Sequence, residues 1–91
     1  MIYADNAATT RMSEAAVAAM LPAMREVYGN PSSLYAFGQE AKERLEAARE
    51  QIARCLGCDA REVTFTSGGS EADNQALRSA AALGARRGKR H

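Results

Sequence analysis

The sequence predicts an α/β segment with an incomplete sheet: two helices, one short strand, a glycine turn and a third helix. Helical periodicity follows Ser13 and recurs from about Phe37 to Leu56, and a short β-branched run then leads into two glycines and another periodic stretch. One strand cannot form a sheet alone, so its partner strands are expected outside these 91 residues. The composition also indicates missing structure. Leu, Ile, Val and Phe total only thirteen of the 91 residues, a smaller share than the ~20% typical of a chain with its own core.

The chain is expected to begin with an extended segment over residues 1–12, in which Asp5 and Asn6 favour a turn. Residues 13–91 are expected to form the start of a larger domain. The first helix should begin after Ser13, a suitable N-cap. Pro22 should kink this helix or split it near Leu21. The helix should end at the Gly-Asn-Pro run of residues 29–31, and its apolar face consists of Val17, Met20, Leu21, Met24 and Val27.

The second helix is predicted from about Phe37 to Leu56, where apolar residues recur on one narrow face and charged residues fill the rest. Gly57 is a natural stop for it. The apolar face consists of Ala41, Leu45, Ala48, Ile52 and Leu56.

Residues 63–66 read as a strand, residues 67–70 as a glycine turn, and the third helix is predicted from about Ser70 to Arg86. A strand that enters a glycine turn and then a helix exposes backbone N–H groups and the positive end of the helix dipole, which suits a phosphate. The alternative is a plain turn with Ser70 as the N-cap. The pattern is neither a P-loop nor the dinucleotide fingerprint, because it has no Gly-Lys-Ser/Thr and no Gly-x-Gly-x-x-Gly.

Several classes of protein are excluded or disfavoured. No run of 18 apolar residues is present, and the first residues do not resemble a signal peptide, so a cytoplasmic protein is expected with no membrane contact. The net charge of +1 gives no general attraction to nucleic acid. The basic end of the chain, including His91, is expected to be solvated.

Cys55 and Cys58 form a Cys-x-x-Cys pair, which can be a redox pair or half of a zinc site. No second pair completes a zinc site, so no metal is expected. The pair closes a helix, where the dipole disfavours a thiolate. We therefore expect structural cysteines, and a redox module remains the alternative.

Three blocks of the sequence resemble the NifS/IscS-type cysteine desulfurases. They are YADNAATT at residues 3–10, YGNPSS at residues 28–33 and FTSGGSEADN at residues 65–74. Their order and spacing are those of the family, and together they extend over nearly the whole chain. The resemblance implies the N-terminal portion of a class-V enzyme of PLP fold type I, dependent on pyridoxal 5'-phosphate (PLP), with residues 13–91 as the start of its PLP-binding large domain.

The resemblance also implies specific roles. Gly69 and Ser70 match the residues that hold the cofactor phosphate, and Asn6 and Ala7 match a segment beside the substrate. Enzymes of the family convert L-cysteine to L-alanine and pass the sulfur as a persulfide to scaffold or acceptor proteins for Fe–S cluster assembly or tRNA thiolation. They are homodimers.

The family's Schiff-base lysine and persulfide cysteine match no residue here, since Lys42 and Lys89 lie outside the lysine motif. No catalytic residue is therefore expected in this chain, which should be inactive alone. The alternatives are a selenocysteine lyase, another class-V PLP enzyme, or a truncated chain that acts as a non-catalytic binding module.

Overall fold

The computed structural model describes residues 1–89, which form three α-helices and one short 3-10 helix. We label the α-helices α1 (Glu14–Arg25), α2 (Ala36–Leu56) and α3 (Gly69–Arg86); the 3-10 helix is Ala60–Glu62. The predicted helices are thereby confirmed, with boundaries within two residues of expectation except at the end of α1. The predicted solvated position of His91 lies outside the described residues.

Helix α1 begins as the sequence predicts. The Ser13 hydroxyl accepts a hydrogen bond from the Ala16 amide at 3.2 Å, which supplies an acceptor to the first turn. The helix continues through Pro22 and ends at Arg25, so it is not split near Leu21 and stops a full turn before Gly29. Only the last turn follows the proline.

The connection from α1 to α2 folds back onto the start of α2. Gly38 is buried, and a Cβ there would lie 2.6 Å from the Asn30 carbonyl oxygen and 2.6 Å from Ser33 Cβ. The rings of Tyr28 and Phe37 meet edge to face at 5.0 Å between centroids. The NPSS run at residues 30–33 is thus packed against the start of α2. It does not cap α2, because the N-cap is Tyr35 and makes no side-chain capping bond.

Gly57 ends α2 in the left-handed conformation, with φ 70° and ψ 33°. The Cys58 amide donates to the Ala53 carbonyl at 3.0 Å, the bond that closes this type of helix end. The 3-10 helix follows at once and carries a capping box, in which the Asp59 amide donates to the Glu62 carboxylate at 2.8 Å. The predicted stop at Gly57 is confirmed.

The predicted strand at residues 63–66 is not confirmed, and none of residues 1–89 forms a strand. Val63 has extended dihedral angles, φ −94° and ψ 119°, so the local preference for extended backbone is expressed. A strand exists only through hydrogen bonds to a neighbour, and no neighbouring strand is described. The fold described is therefore helical, and the sheet of the expected α/β fold is not seen.

Few apolar side chains are buried. Val27 and Ala53 are the only buried apolar residues described, at 8% and 3% exposure, and no residue of α1 or α3 is buried. The radius of gyration is 17.7 Å, against roughly 12 Å for a compact domain of this length. Residues 1–89 are an open arrangement of helices, and the start of α3 lies exposed on it.

Candidate functional site: the turn before α3

Two glycines without side chains form the start of α3. Gly68 is the N-cap and Gly69 the first helical residue, and a Cβ at either glycine would meet nothing within 4 Å. Gly68 is almost fully extended, with φ 168° and ψ −179°, so it is not there to permit a left-handed turn. What the two glycines provide is open space in front of the helix.

The first amides of α3 are unused. The amide of Ala72 is the first to bond back along the chain, to the Gly68 carbonyl at 3.1 Å. Within residues 1–89, the amides of Gly69, Ser70 and Glu71 have no acceptor. Three exposed donors therefore lie at the positive end of an 18-residue helix, the arrangement that suits an oxygen anion.

Ser70 is the second residue of α3 and not its N-cap, so the alternative that gave it a capping role is wrong. Its hydroxyl makes no hydrogen bond to any part of the chain that the structure describes. Its carbonyl accepts from the Asn74 side-chain amide at 2.8 Å, one turn further along the helix. The hydroxyl is therefore available to a ligand, while the backbone around it is held in place.

The N-terminal end of α3 is held by the side chain of Glu71, which bonds back to the residue before the N-cap. The Glu71 carboxylate accepts from the Ser67 hydroxyl at 2.6 Å and from the Ser67 amide at 2.7 Å. These two bonds lower the pKa of Glu71, the hydroxyl contributing most. Thr66 adds a bond from its hydroxyl to the Gly68 carbonyl at 3.1 Å. Side chains on both sides of the glycines thus define the turn.

Asn6 and Ala7 lie in a separate turn. The Ala8 amide donates to the Asp5 carbonyl at 3.2 Å, and the Thr10 hydroxyl donates to the Asn6 side-chain oxygen at 2.8 Å. All of these residues are exposed. No hydrogen bond or ion pair among the described residues joins this turn to the start of α3, so the structure does not bring the two predicted regions together.

The Cys-x-x-Cys pair closes α2, as the sequence predicts. Cys55 is exposed in the last turn and Cys58 is half-buried after Gly57, and both thiols are free. Within residues 1–89, no three His, Cys, Asp or Glu side chains are grouped as metal ligands would be. None of the helices in that range has the length and apolar character needed to cross a membrane.

One contact at this site is not predicted from the sequence. The Arg49 guanidinium, from the middle of α2, donates to the Val63 carbonyl and lies 4.8 Å from the centre of the Phe65 ring. Periodicity places Arg49 on the charged face of α2, and nothing in the local sequence shows that the chain returns there.

Comparison with known proteins relates nearly the whole chain to one family. The sequence model of the family described as "Aminotransferase class-V" matches residues 2–90. The chain is 47% identical over 91 residues to a cysteine desulfurase of Trichormus azollae, covering all of this chain and 22% of that protein. It is 44% identical over 88 residues to the cysteine desulfurase IscS of Methanosarcina thermophila, covering 97% of this chain and 22% of that protein.

A cysteine desulfurase of Cereibacter sphaeroides is 49% identical over 82 residues, which are 89% of this chain and 21% of that protein. The chain thus spans about a fifth of the length of these curated relatives. The comparison with solved structures gives no significant match. Because the family model extends over nearly all of the sequence, the chain belongs to the class-V aminotransferase family.

Proposed function

We propose that this chain supplies the cofactor-phosphate site of a PLP-dependent cysteine desulfurase, in which L-cysteine is converted to L-alanine and the sulfur leaves as a persulfide. Relatives whose match extends over the whole chain are named cysteine desulfurases. Their names favour cysteine desulfurase activity over selenocysteine lyase activity. The observation that carries the proposal is the unused row of amides at the start of α3, at the residues that the resemblance assigns to phosphate.

The residues at this turn suit a phosphate. The phosphate of PLP is a dianion, and the Gly69 and Ser70 amides with the Ser70 hydroxyl offer three donors without a side chain in front of them. The Glu71 carboxylate is a negative charge nearby, but both of its described bonds go to Ser67. When bound, PLP supplies an electron sink for the bonds around the substrate's α-carbon. Gly69 and Ser70 would bind and orient it through its phosphate.

The remaining machinery would come from elsewhere in the protein. Lys42 is exposed on α2, and Lys89 follows α3, where its amide donates to the Gly84 carbonyl at 2.9 Å; neither lies near Ser70 in sequence or belongs to the family's lysine motif. We place Asn6 and Ala7 beside the substrate, in a cytoplasmic homodimer that passes sulfur to scaffold or acceptor proteins. On this proposal the 91 residues alone are inactive.

The test measures PLP affinity in the complete protein in which these residues occur. Ser70→Ala removes one donor to a charged group, and we expect PLP to bind about ten- to one-hundredfold more weakly. Gly69→Val places a side chain in the open space and should weaken binding at least as much. Ser79→Ala, nine residues further along the same helix, is the matched control and should bind PLP as the unaltered protein does.

Activity is measured in parallel as alanine released from L-cysteine. The complete protein should release alanine, and the isolated 91-residue chain should not. Unchanged PLP affinity in both the Ser70→Ala and Gly69→Val variants would remove this turn from the cofactor site. Release of alanine from selenocysteine alone would assign the protein to the lyases.

A further inference from the structure

Arg49 makes three contacts at once from the middle of α2. Its Nε donates to the Glu46 carboxylate at 3.1 Å, and its Nη1 donates to the Val63 carbonyl oxygen. Its Cζ atom lies over the Phe65 ring, 4.8 Å from the ring centre. The side chain is only 22% exposed, so it is fixed among its neighbours and not a solvated surface charge.

The two contacts to the later part of the chain lie on either side of Thr64. The carbonyl of Val63 and the ring of Phe65 are two residues apart, and Gly68 follows three residues after Phe65. No strand is described beside residues 63–66. The Arg49 side chain, through its hydrogen bond to Val63 and its contact with Phe65, joins this segment to α2. A planar fork with five donors holds a carbonyl, a carboxylate and an aromatic face in one fixed geometry, whereas a lysine ammonium is a point charge on a flexible stem.

Glu46 orients this arginine. The Glu46 carboxylate lies one turn before Arg49 on α2 and engages Nε, which leaves Nη1 to reach Val63. Residues 63–65 are therefore held against α2, a 21-residue helix whose C-terminal end is capped at Gly57.

We infer that Arg49 is a positioning residue for the phosphate-binding turn: through Val63 and Phe65 it sets where the Gly69 and Ser70 amides stand relative to α2. This rests on the proposed function, since it assigns to Arg49 a share of the phosphate affinity of that site. Arg49 touches neither the phosphate nor the substrate in this assignment.

The experiment compares PLP with pyridoxal, which lacks the phosphate, in the complete protein carrying Arg49→Lys. The substitution keeps the positive charge but removes the planar fork. We expect PLP affinity to fall on the order of tenfold while pyridoxal affinity stays unchanged. A general loss of folded structure would instead weaken both ligands alike. Arg44→Lys, on an exposed position of the same helix with no described hydrogen bond, is the matched control and should alter neither affinity.

Amide hydrogen exchange gives a second measurement that does not depend on activity. In the Arg49→Lys protein, peptides covering residues 63–70 should exchange faster, while those of α1 should not change. Phe65→Leu keeps an apolar side chain but removes the aromatic face, and should produce a smaller change of the same kind.

The outcomes separate the two claims. If the unaltered protein binds PLP no better than pyridoxal, the phosphate site is absent and both claims fall. If it prefers PLP and Arg49→Lys keeps that preference and the same exchange rates, the role of Arg49 is refuted while the phosphate site stands. Equal weakening of PLP and pyridoxal also refutes it, since that would make Arg49 a residue of general stability.

Discussion

At the scale of single residues, the pair Ser67 and Glu71 decides how α3 begins. Helices of this kind usually begin with a hydroxyl or carboxamide side chain at the N-cap. Here the N-cap is a glycine, and a carboxylate in the first turn reaches back to the residue before it. This keeps the space in front of Gly69 and Ser70 free of side chains while the turn is still held by hydrogen bonds.

This pair leads to a prediction about pH. The pKa of Glu71 is lowered from its ordinary value of 4.5, first by the Ser67 hydroxyl and then by the Ser67 amide. The contact therefore stabilises the start of α3 above the unfolded pKa, and this stabilisation is lost as the pH falls through the lowered folded value. Ser67→Ala should raise the Glu71 pKa towards 4.5, as measured by an NMR titration of its side-chain carboxyl carbon.

Ser79→Ala is the control for this titration, because Ser79 lies on the same helix with no described contact to Glu71. It should leave the Glu71 pKa where it is. A Glu71 pKa that does not move in Ser67→Ala would mean that the Ser67 hydroxyl does not lower it, and would leave the backbone amide of residue 67 as the cause.

At the scale of elements, the connection between α1 and α2 depends on the absence of a side chain at Gly38. We expect Gly38→Ala to destabilise the complete protein by about 1–3 kcal/mol, because the new methyl would overlap the Asn30 carbonyl and Ser33 Cβ, both 2.6 Å away. The measurement is the shift in the urea midpoint at constant slope.

Gly84→Ala provides the opposite expectation for the same measurement. Gly84 lies inside α3, and a Cβ there would be 3.7 Å from the Lys89 carbonyl oxygen, an ordinary contact. This substitution should stabilise by roughly 0.5–1 kcal/mol through helix propensity. A midpoint that stayed the same or rose in Gly38→Ala would contradict close packing at Gly38.

At the scale of the whole molecule, the described chain exposes apolar side chains that a folded domain would cover. Met24, Leu56 and Leu77 are exposed by 63%, 71% and 71%. Since only Val27 and Ala53 are buried among the described apolar residues, little apolar burial opposes the conformational entropy of the chain.

We therefore expect the isolated 91-residue chain to melt without a cooperative transition and to bind a hydrophobic dye. Its radius of gyration in small-angle scattering should be well above the roughly 12 Å of a compact domain of this length. A sharp melt together with a defined oligomer in sedimentation would instead support the binding-module alternative, in which copies of the chain cover one another.

The sequence by itself determined what depends on neighbours along the chain. The three helices, the Ser13 cap and the stop at Gly57 are local, since hydrogen bonds within a few residues define them. The three family blocks are equally readable from the sequence, and the family is confirmed. The roles of Gly69 and Ser70 in phosphate binding remain predictions.

Only the tertiary structure decided what depends on contacts distant in sequence or on a choice between near neighbours. The Arg49 contact with Val63 joins residues fourteen positions apart, and periodicity does not report such a return of the chain. Extended backbone at Val63 is a local preference, but a strand needs a partner, and none is described within residues 1–89. The sequence alone allowed Ser70 to be the N-cap of α3. In the structure the helix begins earlier, with Gly68 as the N-cap and Ser67 bonded to Glu71, so the Ser70 hydroxyl is available to a ligand.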